Sequence, residues 1–122
     1  MSNIAKALVG KVIKSFTLAD DGGYITFHCD DGDVTLGTEG DCCSYTWIES
    51  IDTPKNLKGK VLSADEIDMP DLGNVDGKRH TGVDVVSYYG LKIITTKGHT
   101  VIDYRNDSNG YYGGNLYVKA KP

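Results

Sequence analysis

Short alternation dominates the chain. Residues 11–19 (KVIKSFTLA) and 24–29 (YITFHC) carry alternating or β-branched and aromatic residues, a pattern that predicts strands. Asp20-Asp21-Gly22-Gly23 between them is turn chemistry, so the two form a hairpin. Asp30-Asp31-Gly32-Asp33 then leads into 34–38 (VTLGT), and the Asp-Gly step extends the hairpin to a three-stranded meander.

From Ser44 the period changes. Trp47, Ile48 and Ile51 recur at spacings of three and four, which predicts a short helix over 45–51 capped by Ser44; a strand is the competing reading. Thr53-Pro54 and Gly59 bracket about one helical turn over 55–58. A strand with polar interruptions follows over 61–69 (VLSADEIDM). Residues 70–82 (PDLGNVDGKRHTG) have three glycines and no apolar period, the profile of a disordered or functional segment and the candidate lid. Strands are predicted over 83–88, 91–96 and 99–105, the last two joined through Lys97-Gly98, and over 116–119.

The pattern also repeats. Leu8-Val9-Gly10-Lys11-Val12-Ile13 is echoed by Leu57-Lys58-Gly59-Lys60-Val61-Leu62, and each is followed by a hairpin with a glycine turn (Gly32, Gly98), which suggests two related halves. The expected class is mainly β to α+β: an antiparallel sheet of hairpins with one or two short helices.

Composition narrows the function classes. At 122 residues and 13.2 kDa, with 39% hydrophobic and 25% charged residues, the chain is expected to be a single folded domain over 1–122. Net charge is −4, and the only arginines are Arg79 and Arg105, so no DNA-binding stripe is expected. Asp65, Glu66, Asp68, Asp71 and Asp76 read as a solvated acidic edge rather than a nucleic-acid mimic. The apolar stretch of MSNIAKALVGKV is too short for a secretory signal, and no window reaches the roughly 18 apolar residues of a membrane helix, so a cytoplasmic protein with no membrane partner is expected. Cys29, Cys42 and Cys43 make no disulfide framework.

No motif names a reaction. Cys42 or Cys43 could serve as a nucleophile with His28, His80 or His99, but no spacing supports it, and adjacent cysteines on an extended segment face opposite ways. The paired spacing of a structural zinc site is missing, so neither metal nor cofactor is expected. The glycine-rich stretches 37–40 and 110–114 lack the strand-helix context or the lysine of a phosphate-binding fingerprint.

The richest segment is 105–115 (RNDSNGYYGGN). Asn109-Gly110 suffices for a turn, yet the segment adds Arg105, Asn106, Asn115 and the pair Tyr111-Tyr112. Tyrosine rings offer π-faces, arginine a planar fork for phosphate or carboxylate, and asparagines both donors and acceptors, so this is the make-up of a polar-aromatic binding site. A hairpin whose tyrosines pack on the sheet is the structural alternative.

Two blocks carry a resemblance. Gly40-Asp41-Cys42-Cys43-Ser44 with Trp47-Ile48-Glu49, and residues 105–114 (RNDSNGYYGG), together resemble a domain-of-unknown-function family of small phage and prophage proteins, over about Leu8 to Gly114. Where that family favours a second serine before the tryptophan, this chain has Thr46. The resemblance implies a small phage accessory protein in the host bacterial cytoplasm that counters antiviral defence. It would do so by sequestering a nucleotide-derived signal, or alternatively by docking as an anti-CRISPR-type inhibitor on a host defence protein. On the first reading Tyr111 and Tyr112 stack the base, Arg105 and Arg79 meet phosphate, and Asn106 and Asn109 read polar edges, with Lys92 and Lys97 adding charge. A homo-oligomer would follow from an exposed sheet edge.

Overall fold

The computed structural model describes residues 2–40, 44–68, 85–108 and 114–119. Eight strands form two antiparallel four-stranded sheets, in line with the mainly β expectation. The first sheet holds β1 (Ile13–Leu18), β2 (Tyr24–Cys29), β3 (Gly32–Gly40) and β8 (Gly114–Val118), in the order β1-β2-β3-β8. The second holds β4 (Tyr45–Asp52), β5 (Val61–Asp68), β6 (Val85–Thr95) and β7 (Gly98–Ser108), in the order β4-β7-β6-β5. Helix α1 (Asn3–Leu8) and a single 3-10 turn (Pro54–Leu57) complete the described elements.

The two sheets face each other across one core. Ile25, Phe27, Leu36 and Leu116 come from the first sheet and Ile48, Leu91, Ile93 and Ile102 from the second, with Leu8 of α1 and Leu57 of the 3-10 turn inserted beside them. Away from the bulges the strands contribute alternate residues, as their period of two requires. Helix α1 packs against β5 and β8. Its Ser2 cap accepts a hydrogen bond from the Ala5 amide, and Ile4, Ala5 and Leu8 are buried. Ser2 ahead of Ile4 and Leu8 is this helix's signature in the sequence.

The repeat in the sequence is realised as an exchange of strands. β1-β2-β3 and β5-β6-β7 are equivalent three-stranded meanders, and each receives its fourth strand from the other half: β8 joins β3, and β4 joins β7. β1 carries a bulge just after Ile13 and β5 one just after Val61. Gly32 and Gly98, which turn the chain into β3 and β7, have φ of +126° and +132°, a range open essentially to glycine. The echoing segments meet antiparallel at the bridge Val12↔Lys60. Ile13 N–H donates to Gly59 O at 2.9 Å and Val61 N–H to Lys11 O at 2.8 Å, so matching residues exchange matching hydrogen bonds across a pseudo-twofold axis. This correspondence, Ile13 with Val61, lies one residue off the alignment that the sequence echo suggests.

Two expectations are corrected. Residues 45–51 are strand, not helix. Glu49 is an extra residue in β4, because Ile48 pairs with Tyr104 while Ser50 pairs with Asp103. That bulge puts Ile48 and Ile51 on the same face at a spacing of three, which imitates a helical period. The second correction concerns β6, which runs unbroken through Gly90, with Gly90 paired to both Ile67 and Asp103, where two strands were expected.

Candidate functional site

β3 and β7 both end where the chain changes sheets. The two links, residues 41–44 and 109–113, are the hearts of the two sequence blocks singled out above, and the residues that anchor them are cross-strand neighbours: Gly40 pairs with Gly114, and Tyr45 with Asp107. The crossover end therefore has a common base.

That base is a polar pair seated on a glycine pair. Asn106 and Thr46 are directly opposed across β7 and β4, both buried. Asn106 Nδ2 donates to Thr46 Oγ1 at 2.9 Å, and Thr46 Oγ1 donates to the Glu39 carbonyl at 2.9 Å, which ties the second sheet to the first. A Cβ on Gly114 would lie 2.0 Å from Thr46 Oγ1 and 2.8 Å from Asn106 Nδ2, and one on Gly40 would lie 3.1 and 3.2 Å from the same atoms. Only glycine admits this approach. Asn106 Oδ1 is buried without a hydrogen-bond partner, a cost the otherwise satisfied cluster carries.

Arg105 sits on the opposite face of β7 from Asn106, as adjacent strand residues must. Its Nε and Nη2 donate to the two carboxylate oxygens of Asp103 at 3.2 and 2.9 Å, and its Nη1 lies 3.9 Å from Glu49. The guanidinium also lies 5.2 Å from the Tyr88 ring centroid. Only 7% of Arg105 is exposed. The hydrogen bonds to Asp103 hold its pKa above the ordinary arginine value. Beside it Trp47, fully buried, donates from Nε1 to Glu49 Oε1 at 2.7 Å and stacks on Tyr45.

The structure thus separates two residues expected to share one pocket. Arg105 is held by carboxylates on the outer face of the second sheet, while Asn106 faces the sandwich interior. Asn109, Tyr111, Tyr112 and Arg79 lie outside the described residues, as do Asp41, Cys42 and Cys43 and the expected lid at 70–82. Lys92 pairs with Asp65 across β5 and β6, and Lys97 is an exposed turn residue at the other end of the sheet, so neither adjoins Asn106. An open groove of about 970 Å³ lies elsewhere, lined by Lys6, Lys11, Asp31, Asp33, Thr35 and Lys119. Within it Lys11 Nζ is already paired with Asp31 at 2.6 Å.

The first sheet's outer face holds an arrangement that sequence reasoning missed. Thr17 Oγ1 is 2.8 Å from His28 Nε2, and His28 Nδ1 is 3.2 Å from Asp33 Oδ1. Hydroxyl, imidazole and carboxylate stand in the order of a hydrolytic triad. The surroundings do not match that chemistry. All three side chains lie on an open sheet face where the backbone amides are held in the ladder, so no oxyanion donors converge and water has free access. The geometry is a cross-strand hydrogen-bond ladder. Cys29, on the same strand, is buried, and burial pushes its thiol pKa up, the reverse of an activated nucleophile.

Among the described residues no group of histidine, cysteine and carboxylate side chains could hold a metal ion, and no helix is long and apolar enough to cross a membrane. Comparison with known proteins adds a family and no activity. Neither a curated protein nor a solved structure matches the chain. Residues 6–118, nearly the whole of the two-sheet fold with its crossover end, match one family, and the chain belongs to it: the domain of unknown function DUF7448.

Proposed function

We propose that the protein is a phage accessory protein that counters host antiviral defence by binding a nucleotide-derived signalling molecule and withholding it, without turnover. The observation that carries this reading is the convergence at the crossover end. The polar-aromatic segment 109–113 and the block 41–43 spring from paired anchors, Gly40 with Gly114 and Tyr45 with Asp107. A sandwich end from whose paired anchors two connections leave is a usual way for a β fold to carry a site.

In this reading Tyr111 and Tyr112 stack the base and Asn109 reads its polar edge. Arg79 supplies positive charge toward phosphate, whereas Arg105, nearly buried and paired with Asp103 and Glu49, braces the base of the crossover end. Asn106 positions the crossover through Thr46 instead of touching ligand. Retention in the host cytoplasm and assembly as a homo-oligomer belong to the same proposal. The exposed residues of edge strand β5 offer a surface for a second copy.

A thermal-shift panel of cyclic and linear nucleotides, cyclic dinucleotides and ADP-ribose derivatives tests it. A ligand at 100 times its dissociation constant adds about 2.7 kcal/mol, which raises the midpoint by roughly 8 °C or more. Heat denaturation of the complex should return the ligand unchanged; recovered product would make the protein an enzyme. A flat panel would overturn the reading, and co-purification with a host protein would then favour direct inhibition of an effector.

A further inference from the structure

Three strands of the first sheet place Tyr24, Gly37 and Tyr117 side by side: Tyr24 pairs with Gly37, and Gly37 with Tyr117. Directly paired residues share a face, here the outer one, since Ile25, Leu36 and Leu116 on the same strands point to the core. Gly37 has an ordinary strand backbone, so no turn explains the glycine. The Tyr117 ring explains it. A Cβ at residue 37 would lie 2.9 Å from Tyr117 Cε1 and Cζ, so the ring lies down over the bare backbone and buries Gly37. Tyr117 nevertheless keeps 37% of its surface exposed and Tyr24 39%. The two Cα atoms stand two strand spacings apart, about 10 Å.

The next rows along the same face are polar. Thr17, Thr26 and Thr35 lie in register, with Thr26 and Thr35 hydroxyls 2.8 Å apart, and beyond them runs the His28–Asp33 pair. Lys119 reaches over the Tyr24 ring at 5.8 Å. We infer that this face is a carbohydrate-binding platform, on which the flat face of a neutral sugar ring stacks on Tyr117 while its hydroxyls exchange hydrogen bonds with Thr26, Thr35 and Lys119.

Two features select this occupant. The C–H-bearing face of a sugar ring is weakly positive and suits the negative face of an aromatic ring, while hydroxyl groups, like those of threonine, both donate and accept. Charge argues against an anionic ligand. Asp33 and Glu39 lie on the same face of β3 as Gly37, while Lys119 lies over the Tyr24 ring and Lys11 is already paired with Asp31, so the face offers an anion little uncompensated positive charge. The proposal is independent of any nucleotide site at the crossover end.

The test is an NMR titration of the full-length 15N-labelled protein with cellohexaose and chitohexaose, with AMP as a planar anionic control. Oligosaccharide should move the amide signals of Thr26, Thr35, Gly37 and Tyr117. Tyr117→Ala should weaken binding about tenfold or more, and Tyr117→Phe should retain most of it. Gly37→Ala lifts the ring while keeping the tyrosine and should also weaken binding; if that variant does not fold, Tyr24→Ala replaces it. Absence of shifts with both oligosaccharides, shifts elsewhere, or a stronger AMP response at these amides would overturn the proposal.

Discussion

The two halves share a plan and finish their outer faces differently. On the second sheet the row Tyr88–Arg105–Trp47 is closed: Trp47 is fully buried and Arg105 nearly so. On the first sheet the row Tyr24–Gly37–Tyr117 is open, with both rings more than a third exposed. Equivalent positions in the repeat carry Gly37 on β3 and Asp103 on β7, counted from Gly32 and Gly98. Where the second half has a carboxylate that fixes an arginine, the first has a bare backbone on which a ring lies down. A duplicated scaffold can thus use one outer face for stability and leave the other for contact.

The largest test of that contrast is a pair of truncations. Trp47→Ala should destabilise the protein by about 3–5 kcal/mol, whereas Tyr117→Ala on the open face should stay near 1 kcal/mol, both read from urea midpoints. Comparable losses would erase the distinction. Next, Asp103→Asn removes the carboxylate that Arg105 donates to twice and should cost about 2 kcal/mol, since the arginine is left largely buried with the more distant Glu49 as its remaining ion pair among the described residues.

Smaller still is the effect of overfilling the shared crossover end. Gly114→Ala should cost about 1–3 kcal/mol, because its new methyl group would collide with Thr46 Oγ1. Adding Thr46→Ala should recover part of that loss, giving a non-additive double-mutant cycle. The smallest effect at neutral pH belongs to Tyr104, 2% exposed and stacked on Tyr89. Burial pushes its hydroxyl pKa above the ordinary tyrosine value. The unfolded chain then loses this proton near pH 10 while the folded chain keeps it, so stability should fall as pH rises above about 10. Tyr104→Phe should flatten that alkaline decline in urea midpoints taken from pH 8 to 11.

The strands were legible in the sequence because alternation and Asp-Gly turns act locally, as in the β1–β2–β3 meander. β4 was not, since a bulge at Glu49 shifts its period by one residue and only the pairing with β7 reveals it. The echo between 8–13 and 57–62 signalled two halves, but the exchange of β4 and β8 is a long-range pairing that local pattern does not encode. Of the expected site, Arg105 and Asn106 fall within the described residues, and their division between two faces follows from strand geometry once β7 extends to Ser108. The Tyr24–Gly37–Tyr117 row went unseen because its members are far apart in sequence and no motif joins them.

The exchanged strands also bear on synthesis. β3 lacks its outer partner until β8 is made, and β8 begins only at Gly114, four strands after β3 ends at Gly40. While the ribosome is still at work, the first half therefore exposes the unpaired edge of β3, a template for the same segment on a neighbouring nascent chain. Crowded polysomes should thus favour intermolecular pairing through β3, and slower initiation, which spaces the ribosomes, should raise the yield of folded protein.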